Sequence, residues 1–151
     1  REYGFHTSMI ESSMMINDKM PEYCVDRAAK ILNKVKKAMN GSKVLVLGVA
    51  YKQDIDDYRE SPALKVIDVL EREGAEVTFF DPWVKEYKHN GQVRQSIPAL
   101  TEQVLKEADL VMITTAHTNV DYDMVQKNAA LIFDTKNAMK NIANRENIEV
   151  L

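Results

Sequence analysis

The sequence predicts an α/β protein: a Rossmann-like, doubly wound parallel sheet preceded by an all-helical segment with a long central helix. Three observations carry that expectation. Apolar residues recur at helical spacing through residues 1–40. From Lys43 onward, short apolar runs at 44–47, 77–80, 110–114 and 131–133 alternate with helical stretches at 62–73, about 97–108 and 122–128. The runs are continuous rather than alternating, as strands buried on both faces of a parallel sheet require. Strands that alternate with helices close into such a sheet through right-handed crossovers.

In chain order, Ser8 with Glu11 three places on makes a capping box, and Met9, Ile10, Met14 and Asn17 follow at helical spacing, predicting a helix near 8–18. Met20-Pro21 breaks that pattern, because a residue before proline avoids the helical region, while proline suits the first turn of the next helix. Val25, Ala28, Ala29, Leu32, Val35 and Met39 then share one face, opposite Asp26, Arg27, Lys30, Lys34 and Lys37, and Asn40-Gly41 reads as the stop. About 20 residues exceeds the usual three or four turns of a globular helix. Part of the apolar stripe is therefore expected to meet absent chain or a second subunit, with cover for the following sheet as the alternative. The methionines at 9, 14, 15, 20 and 39 read as helix packing. Ser61 as N-cap, Pro62 at the first helical position and Gly74 past the end frame the next helix. The polar stretch 85–96 reads as a mobile loop. Two units follow: residues 1–40, a helical region, and residues 41–151, the α/β domain.

Composition narrows the function. With 151 residues, 45% hydrophobic and 28% charged, the chain suits one ordinary globular domain with an appendage. A net charge of −3 and a pI near 5.7 supply no basic field for nucleic acid, so any anion site must be local. The single cysteine, Cys24, excludes an internal disulfide framework and a four-cysteine zinc site, no metal site is expected, and a reducing cytoplasm is the expected compartment. No apolar stretch approaches the roughly 20 residues needed to cross a bilayer, and no signal-peptide pattern opens the chain. The first residue is Arg1 rather than methionine, so the chain reads as a piece of a longer protein.

The chemistry concentrates in GVAYKQDIDDYRESPALKV, residues 48–66. It leaves the carboxyl end of the first strand, where ligands of doubly wound sheets bind. A dinucleotide turn would carry G-x-G-x-x-G so that backbone could touch pyrophosphate. Only Gly48 is present, which shifts the anion contacts to side chains: Lys52, the Arg59 fork and the helix start behind Ser61. Asp81 stands where a ribose-binding acid would sit, but without the glycines it reads as a strand-end turn acid beside Pro82. The alternative for the cations is pairing with Asp54, Asp57 or Glu60 on a solvated loop, where such pairs contribute about 0–1 kcal/mol.

VLVLGVAYKQDIDDYRESPALKVIDVLEREGAEVTFFDP, residues 44–82, resembles the start of the C-terminal domain of the UDP-glucose/GDP-mannose dehydrogenase family, with its G-x-A-[YF]-K, D-x-R-x-S-P-A and D-P pattern. Gly48, Ala50, Tyr51, Lys52, Asp57, Arg59, Ser61, Pro62 and Ala63 fall in register. TTAHTNVDY and IFDTKNAMK are similar to later family segments. REYGFHTSMIESSMMINDKMP resembles the central helical region after the catalytic cysteine, especially in members acting on UDP-N-acetylhexosamines.

The resemblance implies a two-step, NAD-dependent oxidation of a sugar C6 alcohol to a carboxylate, through an aldehyde held as a thiohemiacetal on cysteine. Nothing here is similar to the family's G-G-x-C-like segment. Cys24 is therefore expected to be structural, this chain to hold no catalytic residue, and NAD to be bound mainly by an N-terminal domain. The resemblance assigns Tyr51, Lys52 and Lys136 to the UDP of the substrate, Lys136 standing where relatives commonly have arginine. It assigns Arg59 to the NAD pyrophosphate across the cleft; Asp57 and Glu60, its neighbours in the loop, are expected to orient it. It further implies a homodimer through the central helix and a role in polysaccharide precursor synthesis. His117 reads as a strand-end structural residue rather than a base. The rival readings are the nucleotide-sugar half of a glycosyltransferase and a non-catalytic nucleotide-binding or dimerisation module.

Overall fold

The computed structural model describes residues 19–151, so the helix expected near 8–18 lies outside the described residues. Helix α1, residues 19–34, buries Val25, Ala28, Ile31 and Leu32 in one cluster with Val44, Val46, Leu110, Met112 and Phe133 of the sheet. Most of its described stripe thus covers its own sheet, while Val35 is 46% exposed.

The helix does not continue to Asn40. Its end is a Schellman turn: Lys36 N–H donates to Asn33 O and Lys37 N–H to Leu32 O, both at 3.0 Å, around Lys36 at φ 63°. A lysine occupies the left-handed position where glycine is usual, which hides the stop from a sequence reading. Asn40-Gly41 instead forms a turn into the sheet, with Gly41 N–H on Gly74 O at 2.9 Å.

Five parallel strands run in the order β2-β1-β5-β6-β7. They are β1 (Lys43–Leu47), β2 (Glu76–Phe80), β5 (Leu110–Ile113), β6 (Ile132–Asp134) and β7 (Ile148–Val150). Side chains alternate across the sheet: Val44 and Val46 meet α1 and α2 (Pro62–Arg72), whereas Leu45 and Leu47 meet α3 (Glu102–Glu107) and α4 (Tyr122–Asn128). Helix α2 begins as its residues dictate, with Ser61 Oγ accepting from Ala63 N–H at 3.3 Å and Pro62 at the first position. Helix α3 is shorter than predicted because Pro98 keeps Ile97 extended, where its N–H donates to Phe79 O at 2.9 Å, and the helix waits for the Thr101 cap.

Residues 85–96 are not a mobile loop. They form an antiparallel hairpin, β3 (Glu86–His89) with β4 (Gln92–Gln95), closed by Asn90-Gly91 at φ 50° and 77°. Two consecutive positive φ values make the tight turn that fits strand twist, and Asn-Gly is its strongest sequence signal. Tyr87 anchors the hairpin, buried with ring centroids 5.2 Å from Phe79 and 5.9 Å from Tyr58. Burial pushes its phenol up to about 12. Arg94 forks onto Glu71 and His89 Nε2 lies 2.8 Å from Asp68, fastening the hairpin to α2.

Candidate functional site at the β1/β5 crevice

The chain goes from β1 to one side of the sheet and returns to β5 on the other, which opens a crevice beyond their carboxyl ends. Gly48 begins the β1 side at φ 88°, and a β-carbon there would lie 2.4 Å from Thr115 Cβ. The glycine therefore serves contact between the two loops rather than backbone approach to a phosphate. Thr115 Oγ1 donates to Ala50 O at 2.8 Å, Ser61 Oγ donates to the same carbonyl at 3.2 Å, and Thr114 Oγ1 donates to Gly48 O.

Tyr51, Lys52 and Lys136, the residues that the resemblance assigns to UDP, are brought together. With Gln53, Thr114 and Thr115 they line a cavity of about 350 Å³. Lys52 Nζ lies 5.9 Å from the Tyr51 ring centroid, within cation–π range. Among the described residues neither Lys52 nor Lys136 has a carboxylate partner, since the ion pairs fall on other cations. Lys136 is set at the rim by the turn after β6, where buried Asp134 accepts from the N–H groups of Lys136, Ala138 and Met139 at 3.1, 3.0 and 2.8 Å.

Arg59 lies apart, lining a second cavity of about 340 Å³ with Tyr51, Asp57 and Glu60. Its Nε and Nη2 donate to Asp57 at 3.1 and 3.2 Å, and this fork holds the Asp57 carboxyl below its ordinary value. For Arg59 the solvated pair is thus real; its side chain is 82% exposed, so water screens the pair and it adds little to stability. For Lys52 it is not.

Asp54 is engaged by Thr118 rather than by a cation. At φ 61° it accepts from Thr118 N–H and Oγ1, both at 2.9 Å, and those bonds hold its carboxyl below the usual range. Asp81 is fully used by protein: its carboxylate accepts from the N–H groups of Val49, Ala50, Trp83 and Val84, and His117 Nε2 lies at 2.9 Å. Burial pushes Asp81 up, but the His117 and backbone bonds outweigh it and leave the carboxyl below its ordinary value. No oxygen remains for a ribose. His117 is wholly buried, accepts from Asp54 N–H at its Nδ1 (2.8 Å), and so carries its proton on Nε2, facing Asp81. That is the place of a structural residue. The three-residue linkage was not visible in sequence, since Asp54, Asp81 and His117 are far apart along the chain.

Cys24 is buried, and desolvation raises its thiol, the opposite of an activated nucleophile. Among the described residues no group of three or more His, Cys, Asp or Glu side chains is placed to hold a metal, and no helix is long and apolar enough to cross a membrane.

Known proteins are similar to this chain in sequence and in fold. A UDP-N-acetyl-D-mannosamine dehydrogenase of Methanocaldococcus jannaschii is 33% identical over 96% of this chain and 32% of its own length. The solved NDP-N-acetyl-D-galactosaminuronic acid dehydrogenase of Methanosarcina mazei Go1 superposes with a TM-score of 0.74 at 27% identity, over 91% of this chain and 30% of that one. The UDP-N-acetyl-mannosamine dehydrogenase Cap5O of Staphylococcus aureus gives 0.70 at 31% identity, over 98% and 33%. The chain therefore spans about a third of the length of these relatives. The profile described as UDP-glucose/GDP-mannose dehydrogenase family, UDP binding domain, matches residues 45–141, a stretch that runs from β1 through the turn bearing Lys136. With the crevice and its two lysines inside that match, the chain belongs to the UDP-glucose/GDP-mannose dehydrogenase family.

Proposed function

We propose that this chain holds the UDP-sugar in an NAD-dependent 6-dehydrogenase of UDP-N-acetylhexosamines, with N-acetylglucosamine or an epimer as the sugar. The observation that carries the proposal is the pair of cations, Lys52 and Lys136, without a carboxylate partner among the described residues, on one cavity at the sheet's switch point. A diphosphate needs that much positive charge, because buried or half-buried anions without counter-charges are costly. Lys52 supplies a point charge and Tyr51 an aromatic wall. Lys136 supplies charge without the bidentate fork that arginine would give.

The residues fit UDP better than a dinucleotide. Gly48 is closed off by Thr115 and Asp81 is saturated, so NAD finds neither a backbone cradle nor a ribose acid here. Arg59 is the group of this chain assigned to the NAD pyrophosphate, held in readiness by Asp57. NAD, bound mainly by an N-terminal domain outside this chain, supplies the hydride acceptor. The thiol that carries the aldehyde also lies outside it, and Cys24, with its raised thiol, is no substitute.

Residues 1–40 are assigned to a central helical region that pairs two subunits, and residues 41–151 to the UDP-sugar domain. Tyr23 and Val35, exposed on α1 and just past its end, support the pairing. A single buried cysteine and no described membrane-spanning helix support a cytoplasmic enzyme of polysaccharide precursor synthesis. The decisive experiment joins this chain to its upstream coding sequence and follows NADH at saturating UDP-N-acetylhexosamine. NADH formation is expected; UDP release without NADH would identify a glycosyltransferase, and binding without either product a nucleotide-binding module. Sedimentation is expected to give a dimer, and a monomer at high concentration would remove the pairing assignment.

A further inference from the structure

The segment that carries Lys52 is an arch of three exposed residues, Tyr51, Lys52 and Gln53, between two fixed points, with Tyr51 N–H also donating to Asp57 O at 2.7 Å, so that Lys52 and Gln53 are its unpinned part. At its start, Asp81 Oδ2 accepts from Val49 N–H at 2.8 Å and Ala50 N–H at 3.2 Å. At its end, Asp54 N–H donates to His117 Nδ1 at 2.8 Å. The two anchors are one object, because His117 Nε2 lies 2.9 Å from the same Asp81 Oδ2. Backbone, carboxylate and imidazole thus close a ring beneath the arch. Both Asp81 and His117 are buried, so water does not compete for these bonds. Asp54 sits at φ 61°, a left-handed conformation that aspartate tolerates better than most L-residues and that the bond to His117 helps to hold.

We infer that His117 is a positioning residue for UDP binding: through Nδ1 it fixes Asp54, and through Asp54 it sets where the arch presents Lys52 to the cavity shared with Lys136. The other bonds to Asp54, from Thr118, restrain its carboxylate and not its backbone. His117 does not itself line the cavity, although its neighbour Ala116 does, and it acts through the loop. The inference rests on the assignment of Lys52 to UDP for its affinity readout, but not for its structural one.

Two substitutions separate the ends of the imidazole. In His117→Asn the side-chain oxygen falls near the Nδ1 position and keeps the acceptor for Asp54 N–H. In His117→Gln the amide nitrogen reaches toward Asp81 and the Asp54 anchor is lost. Both variants are expected to lose stability, which a purely structural role would also produce. The discriminating results are UDP affinity by calorimetry and amide hydrogen exchange. His117→Gln is expected to weaken UDP binding about tenfold, the scale of one hydrogen bond, while His117→Asn stays within about threefold. Exchange at Asp54 and through the arch is expected to rise in the Gln variant only. Equal loss of affinity in both, or unchanged Asp54 exchange in a folded Gln variant, would overturn the inference. If no form binds UDP, the UDP assignment falls and exchange alone decides the anchor. Imidazole nitrogen shifts of the unaltered chain decide it without any variant: a proton on Nδ1 would overturn it, and one on Nε2 alone supports it.

Discussion

Gly48 presses its α-carbon against Thr115, leaving no room for a side chain: a β-carbon would stand 2.4 Å from Thr115 Cβ and 2.7 Å from its carbonyl oxygen. Backbone cannot give way as a flexible side chain would, and φ 88° adds a penalty for any L-residue. Gly48→Ala is expected to cost about 3 kcal/mol or more, from left-handed strain plus overpacking, read as a lower urea midpoint. A loss under about 1 kcal/mol would mean that the two loops separate easily.

The two cavities predict a split between the cations. Lys52→Ala is expected to weaken UDP binding by about tenfold or more, in line with loss of a charge-assisted bond, whereas Arg59→Ala leaves it within about twofold. Equal losses in calorimetry would reject the separate assignment of the two cations.

Acid should loosen the crevice. The folded Asp81 carboxyl lies below its ordinary value, so its contribution to stability is complete above the unfolded value, about 3.9, and is lost as pH falls through the lower folded value. Asp54, Asp57 and Asp109 are depressed in the same sense. Denaturant midpoints measured from pH 7 to pH 2 are expected to hold until about pH 4 and then fall. Asp81→Asn is expected to cost about 2–4 kcal/mol at pH 7 and to flatten that fall.

The stop of α1 offers a stabilising change. Lys36 holds φ 63° at the position where helices favour glycine. Lys36→Gly is expected to gain about 0.5–1 kcal/mol, the left-handed strain less the added freedom of the unfolded chain. A drop in thermal midpoint would show that the lysine side chain contributes something the turn alone does not.

What was legible in the sequence was whatever neighbours write together. Ser61, Pro62 and Gly74 frame α2 within one segment, and the apolar runs of β1 and β5 announce burial on both faces. The hairpin was missed because only Tyr87 is buried in it, so its alternation carries no apolar stripe, although Asn90-Gly91 was a readable turn signal. Strand β7 carries no apolar run, being two half-buried residues and an exposed one whose order comes from pairing with β6. The cations could be picked out by type and place, and Asp57, two residues from Arg59, was readable as its partner; that Asp54 turns to Thr118 depends on loops that meet only after the sheet forms.

Tyr51 borders both cavities, the one with Lys52 and Lys136 and the one with Arg59. A guest on either side that turns this ring alters the space left for the other. Thermodynamic reciprocity then requires the two guests to change each other's affinity by the same factor, so a single exposed aromatic ring is enough to make their occupancies cooperative or antagonistic.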